Sequence, residues 1–232
     1  MSGNINISEN IKRVRAEIEE ATLRSGRPPG SVALVAASKT QDADKIRQAI
    51  YSGVDAVGEN RVQEMVEKLS QDAYRGAPLH FIGHIQTNKV SRIVGACGLI
   101  ESVGSKDLLE LIGKKATGLG IVQNVLIEIN IGREQQKSGV LPERAGEILD
   151  YAAQISGINI QGLMAIPPIF DEFDKNRYYF DIMYQLFIDM SEKKYDNVSM
   201  QFLSMGMSDS FKEAIMAGSN MVRIGSAIFG SR

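Results

Sequence analysis

A lysine, an arginine and a run of hydroxyl and glycine residues are the groups in this chain with chemistry to offer. Lys39 follows the apolar run Val32-Ala-Leu-Val-Ala-Ala and Ser38. A lysine at the end of such a run is partly desolvated, which lowers its pKa and frees the amine to attack a carbonyl. Ser204-Met205-Gly206-Met207-Ser208 precedes a helical stretch and offers hydroxyls and backbone N–H groups, which suits a phosphate. Gly225-Ser226 is spaced to complete such a cup, and Ser210-x-x-Glu213 reads as a capping box. Arg223 lies between Val222 and Ile224, and a guanidinium buried there needs a carboxylate or a ligand.

Other chemistries find no support. There is no G-x-x-x-x-G-K-[ST], no G-x-G-x-x-G and no C-x-x-C. His80 and His84 would share a metal ion only on a helix. Leu79-His-Phe-Ile-Gly-His reads as a strand, in which four residues span about 13 Å. The 26 Lys and Arg against 28 Asp and Glu leave a net charge of -2, with no general attraction to nucleic acid or anionic lipid. The lone Cys97, set between Gly95 and Gly98, reads as a small buried residue and fits a reducing compartment. No apolar run reaches the ~18 residues of a membrane span, and the polar start lacks a signal-peptide layout. The expectation is a cytoplasmic, globular protein.

The elements that must position these residues alternate regularly. Apolar runs predict strands over 32–37, 54–58, 79–83, 99–103, 124–130, 158–165, 199–205 and 221–229. Amphipathic spacing predicts helices over 40–52, 60–72, 87–95, 105–117, 142–155, 173–193 and 209–217, and over 8–25, capped by Ser8. Eight βα units in a chain of 232 residues point to an α/β fold, a (β/α)8 TIM barrel forming one domain over 1–232. The alternative is an open doubly wound sheet, whose first βα turn normally carries glycines. Here that turn is Ala37-Ser38-Lys39-Thr40. No helix follows strand eight, and helix 8–25 is the natural substitute.

In a barrel, Lys39, Gly58-Glu59-Asn60-Arg61, Gly83-His84-Ile85-Gln86, the 204–209 loop and Val222–Ser226 gather at one mouth. An amine nucleophile, a phosphate cup and a buried cation together suggest pyridoxal phosphate. These segments, with Val62-Gln63-Glu64, His80-Phe81-Ile82, Thr87-Asn88-Lys89 and Ala227-Ile228-Phe229-Gly230, resemble the YggS/PROSC family of pyridoxal phosphate homeostasis proteins along the whole chain. The resemblance implies a barrel similar to the N-terminal domain of alanine racemase, with an extra N-terminal helix. It implies pyridoxal 5′-phosphate, a vitamin B6 form, held as a Schiff base on Lys39. It implies phosphate near Ser204, Met205, Ser208, Gly225 and Ser226, Arg223 facing the pyridine nitrogen, Asn60 on the ring side and His84 nearby. It also implies a carrier or buffer, with no established catalytic residue, that serves apo-enzymes.

A small racemase or lyase is the competing class. Racemases of similar fold carry a tyrosine four residues after the lysine and a second from a further domain. Here the residue at that spacing is Ala43 and the sequence stops at Arg232. A cation at the pyridine nitrogen also disfavours the proton that deepens the electron sink. His84 and Tyr51 are the loose candidates for a second acid or base. The missing partners favour the non-enzymatic reading, and the balanced surface points to a monomer.

Overall fold

Eight parallel strands close on themselves in chain order: β1 (Ala33–Ala37), β2 (Ala56–Glu59), β3 (Leu79–Phe81), β4 (Leu99–Val103), β5 (Gln123–Ile129), β6 (Ile158–Ala165), β7 (Val198–Ser204) and β8 (Met221–Ile224). This is the expected TIM barrel. The computed structural model describes residues 6–168 and 173–230, so the ends of the expected 1–232 domain lie outside the described residues. The helices are α1 (Ile7–Arg24), α2 (Ala43–Tyr51), α3 (Val62–Leu69), α4 (Val90–Ile93), α5 (Lys106–Gly118), α6 (Ala145–Ala152), α7 (Phe173–Ser191), α8 (Phe211–Met216) and α9 (Ser226–Phe229).

Strand alternation divides the core in two. Outward residues such as Leu34, Ala36, Val57, Phe81, Ile100 and Val125 pack under the helices. Inward residues Val35, Ala56, Leu99, Leu126, Met164 and Met221 fill the lower barrel. Two residues further along, the same inward faces carry Ala37, Gly58, Glu101, Glu128, Ile166 and Arg223. The floor of the barrel is therefore apolar, and its upper layer carries the three charged side chains Glu101, Glu128 and Arg223.

Four expectations are corrected. The segment 221–229 is not one strand: β8 ends at Ile224, Gly225 breaks it, and Ser226–Phe229 turns into α9. β3 stops at Phe81, so His84 stands on the following loop. Asn6 rather than Ser8 caps α1, its side chain accepting from Glu9 N–H at 3.1 Å. No helix was expected after strand eight, but the one-turn α9 stands there, and α1 packs beside it. Asn10 donates to the Ile228 carbonyl at 2.9 Å, and Lys212 on α8 pairs with Glu17 at 2.7 Å.

Candidate functional site

The mouth at the C-terminal ends of the strands holds a cavity of about 350 Å³, lined among others by Lys39, Asn60, Ser208, Arg223, Gly225 and Ser226. Six of the nine expected site residues thus meet on one surface. That volume suits a small cofactor. Lys39 is exposed there, where the sequence implied partial shielding. Asn60 follows β2, and its Oδ1 is buried with no hydrogen-bond partner. Gly83 lets the next loop close over it: a Cβ at Gly83 would lie 2.1 Å from the Asn60 carbonyl oxygen.

The β7 and β8 loops build a cup of donors. Ser208 Oγ accepts from the backbone N–H of Gly225 at 3.3 Å and of Ala227 at 3.2 Å. Gly206 makes the preceding turn at φ +96°, a left-handed conformation that glycine adopts without strain. The capping box is not formed. Ser210 precedes α8, but its hydroxyl accepts from the Met207 N–H at 3.3 Å instead.

Arg223 answers the question its sequence position raised. It points into the barrel and is buried, with Nη1 donating to Ser204 Oγ at 2.5 Å and Nη2 to the Ala165 carbonyl at 2.8 Å. Ser204 in turn donates to Glu101 Oε2 at 2.6 Å, and His80 Nδ1–H donates to Glu101 Oε1 at 2.7 Å. Burial alone would push the Glu101 carboxyl up. The hydrogen bond from His80 and the Arg223 cation outweigh it and hold the group below its ordinary value. Burial lowers the Arg223 guanidinium, and Glu101 and Glu128 oppose that. Burial also raises the Glu128 carboxyl, against Arg223, His84 and a hydrogen bond from Ser138.

Three expected positions are therefore revised. Ser204 is fully buried and its hydroxyl is committed to Glu101 and Arg223, so it supports the arginine from below the cavity. Met205 is buried in the outer core, where its carbonyl accepts from Ser219 Oγ at 2.8 Å. His84 is exposed, 3.3 Å from Ser138 Oγ, and lines a neighbouring cleft that shares Asn60, Ile82 and Ile166 with the mouth. Tyr51 ends α2 at 94% exposure and takes no part in the site. Cys97 is buried against Met65, its thiol pushed up to about 12 by burial and the nearby Glu59.

Sequence reasoning missed Glu101 and Glu128. Both stand two residues beyond an inward leucine in strands that are otherwise apolar. That period-two offset was the available signal.

Comparison with known proteins adds the following. Residues 6–232 match the model of the alanine racemase N-terminal domain family. A pyridoxal phosphate homeostasis protein of Aquifex aeolicus is 40% identical over 98% of this chain and 99% of its own. One from Escherichia coli is 37% identical over 97% of each chain. Among solved structures, PipY of Synechococcus elongatus with PLP bound is 29% identical, with a TM-score of 0.81 over 97% of this chain and all of PipY. An alanine racemase of Clostridium difficile, at 15% identity and a TM-score of 0.73, shares the fold over 94% of this chain and 56% of the racemase.

Proposed function

This chain belongs to the family of the alanine racemase N-terminal domain and, within it, to the pyridoxal phosphate homeostasis proteins, and from that premise we propose how its barrel mouth serves them. The protein binds pyridoxal 5′-phosphate and acts in the homeostasis of that cofactor. Lys39 bonds to the aldehyde carbon, Ser208, Gly225 and Ser226 hold the phosphate, Asn60 faces the ring and Arg223 the pyridine nitrogen. The protein carries and delivers the cofactor to apo-enzymes without turning over amino acids. Its charge balance and single buried cysteine support a monomer in the reducing cytoplasm.

The observation that carries this reading is the convergence of the exposed Lys39, the unpartnered Asn60 Oδ1, the Ser208 cup and the buried Arg223 on one cavity. Each residue fits the part of the cofactor assigned to it. The backbone N–H groups that now meet Ser208 Oγ suit phosphate oxygens. Arg223, held by Ser204 and the Ala165 carbonyl, keeps a positive charge where the pyridine nitrogen would lie and so disfavours a proton there. When bound, the cofactor supplies an aldehyde that condenses reversibly with amines and a ring that accepts electron density. The residue four positions after Lys39 is the buried Ala43, which can move no proton.

A small racemase or lyase remains the second reading, and Glu128 is the observation in its favour. Its buried carboxyl, shifted upward, lines the cleft beside Asn60. Mixing holo-protein with an apo-form of a pyridoxal phosphate enzyme tests delivery. The apo-enzyme is expected to gain activity as the holo-protein loses its visible absorbance. A holo-protein that keeps its cofactor beside a competent apo-enzyme overturns the reading.

A further inference from the structure

Beneath the mouth, between β2 and α3, lies a second buried charge cluster that none of the roles above uses. Lys68 is on α3, where a lysine ordinarily faces water. Here its side chain is 8% exposed and its ammonium lies 2.7 Å from Glu59 Oε1 and 3.6 Å from Glu64 Oε2. It also donates to the Ser38 carbonyl at 3.0 Å. Glu59 is fully buried, and its Oε1 accepts from Ser38 Oγ at 2.6 Å and Tyr74 OH at 3.0 Å as well. Glu64 Oε2 accepts the Thr40 N–H at 2.7 Å.

These bonds converge on the residues that flank Lys39. Ser38 is held at its N–H by the Gly58 carbonyl at 2.9 Å, at its hydroxyl by Glu59 and at its carbonyl by Lys68. Thr40 is held at its N–H by Glu64 and sits at φ +65°, a left-handed conformation that a β-branched residue adopts only under restraint. One ammonium, Lys68, touches the restraints on both sides. The cluster is an expensive way to fill a corner: buried ion pairs seldom stabilise more than apolar residues of like volume, and Glu59 Oε2 is left buried without a hydrogen bond. What charge does here, and packing could not, is grip a carbonyl, a hydroxyl and an amide next to a side chain that is itself free.

On the reading that Lys39 carries the cofactor, we propose that Lys68 is a positioning residue, which with Glu59 and Glu64 clamps the backbone on both sides of Lys39 and so sets how its amine meets the aldehyde. The phosphate cup, on β7 and β8, lies outside the clamp. Losing the clamp should therefore weaken the covalent part of binding and leave the phosphate part intact.

The test compares pyridoxal 5′-phosphate with pyridoxine 5′-phosphate, which lacks the aldehyde, on the full chain and its variants Lys68→Met, Lys68→Arg, Glu64→Ala and Lys39→Ala. Lys68→Met is expected to weaken pyridoxal phosphate binding about tenfold or more, shift the pH profile of its visible absorbance, and change pyridoxine phosphate affinity by less than about twofold. Lys68→Arg, which keeps the charge and donors, should restore much of the difference. Amide exchange at Thr40 in the ligand-free protein should quicken in Lys68→Met and in Glu64→Ala. If Lys68→Met does not fold, Glu64→Ala, altered at a partly exposed side chain, must show the same split. Equal losses for both ligands, or no loss for pyridoxal phosphate, overturn the clamp. A Lys39→Ala variant with unchanged affinity and absorbance overturns instead the assignment of Lys39, so the two failures are told apart.

Discussion

Ser204 Oγ lies 2.5 Å from Arg223 Nη1, and this contact gives the serine a task different from the one its loop suggested. By accepting from the guanidinium and donating to Glu101, Ser204 relays between a buried cation and a buried anion that stand 3.7 Å apart. The relay aims Arg223 at the mouth. The hydroxyl that reaches the mouth beside the backbone of Gly225 is that of Ser208.

Ser204→Ala and Ser208→Ala should therefore fail in different ways. Removing the Ser204 hydroxyl leaves buried charged groups short of a hydrogen bond, a cost of about 1–3 kcal/mol. At this chain length that should lower the melting temperature by several degrees, roughly 2–4 °C per kcal/mol. Ser208→Ala should change the melting temperature little and weaken pyridoxal phosphate about tenfold, with a much smaller effect on dephosphorylated pyridoxal. Calorimetry and ligand titration separate the two. Equal losses for both ligands in Ser208→Ala would leave the loop as a turn only.

Borohydride reduction of the holo-protein followed by peptide mapping should place the pyridoxyl mass on Lys39. Recovery on Lys89 or Lys137 instead would overturn the assignment. Lys39→Ala should lose the covalent link and keep part of its affinity through the phosphate.

The buried carboxylates of Glu101 and Glu128 predict opposite slopes of stability with pH. Glu101 has a folded pKa below its unfolded value of about 4.3. Its contribution is complete above that value and is lost as pH falls through the lower folded one. Glu128 is shifted upward, so its contribution is complete below about 4.3 and is lost as pH rises through its folded value. Glu128→Gln should thus gain stability relative to the parent from acid towards neutral pH, and Glu101→Gln should lose it. Denaturant titrations across pH 3 to roughly 8 would read both slopes. Parallel curves for Glu128→Gln and the parent contradict the assignment.

Incubation with L-alanine in deuterated water should exchange the α-proton very slowly at most. Exchange that is present should fall in Glu128→Gln, whose carboxyl lines the cleft beside the mouth. Turnover in the usual enzymatic range of about 1–10³ s⁻¹, lost in Lys39→Ala, would favour the racemase reading over the carrier.

Gly83→Ala should displace Asn60, since the new Cβ would overlap the Asn60 backbone. The expected result is weaker binding of both phosphorylated ligands together with lowered thermal stability. An unaltered protein would show that the loop yields freely.

The barrel was legible in the sequence because each strand is a short apolar run and each helix an amphipathic one, patterns that follow from burial of one local surface. Lys39, Asn60, Ser208, Arg223, Gly225 and Ser226 were legible as a set because strand ends of a parallel barrel share a mouth whatever the packing inside it. Boundaries set by a single residue were less clear, as at Gly225, where the apolar pattern runs on into α9 although the backbone turns. Only the tertiary structure decided which polar groups face one another across the barrel. Ser204 meets Arg223 and Glu101, and Lys68 reaches Ser38, over separations of 19, 103 and 30 residues. Periodicity says whether a side chain points inward. It carries nothing about the height and angle at which side chains from different strands meet, and those depend on closure, on the stagger of the strands and on the bulges in β4 to β7.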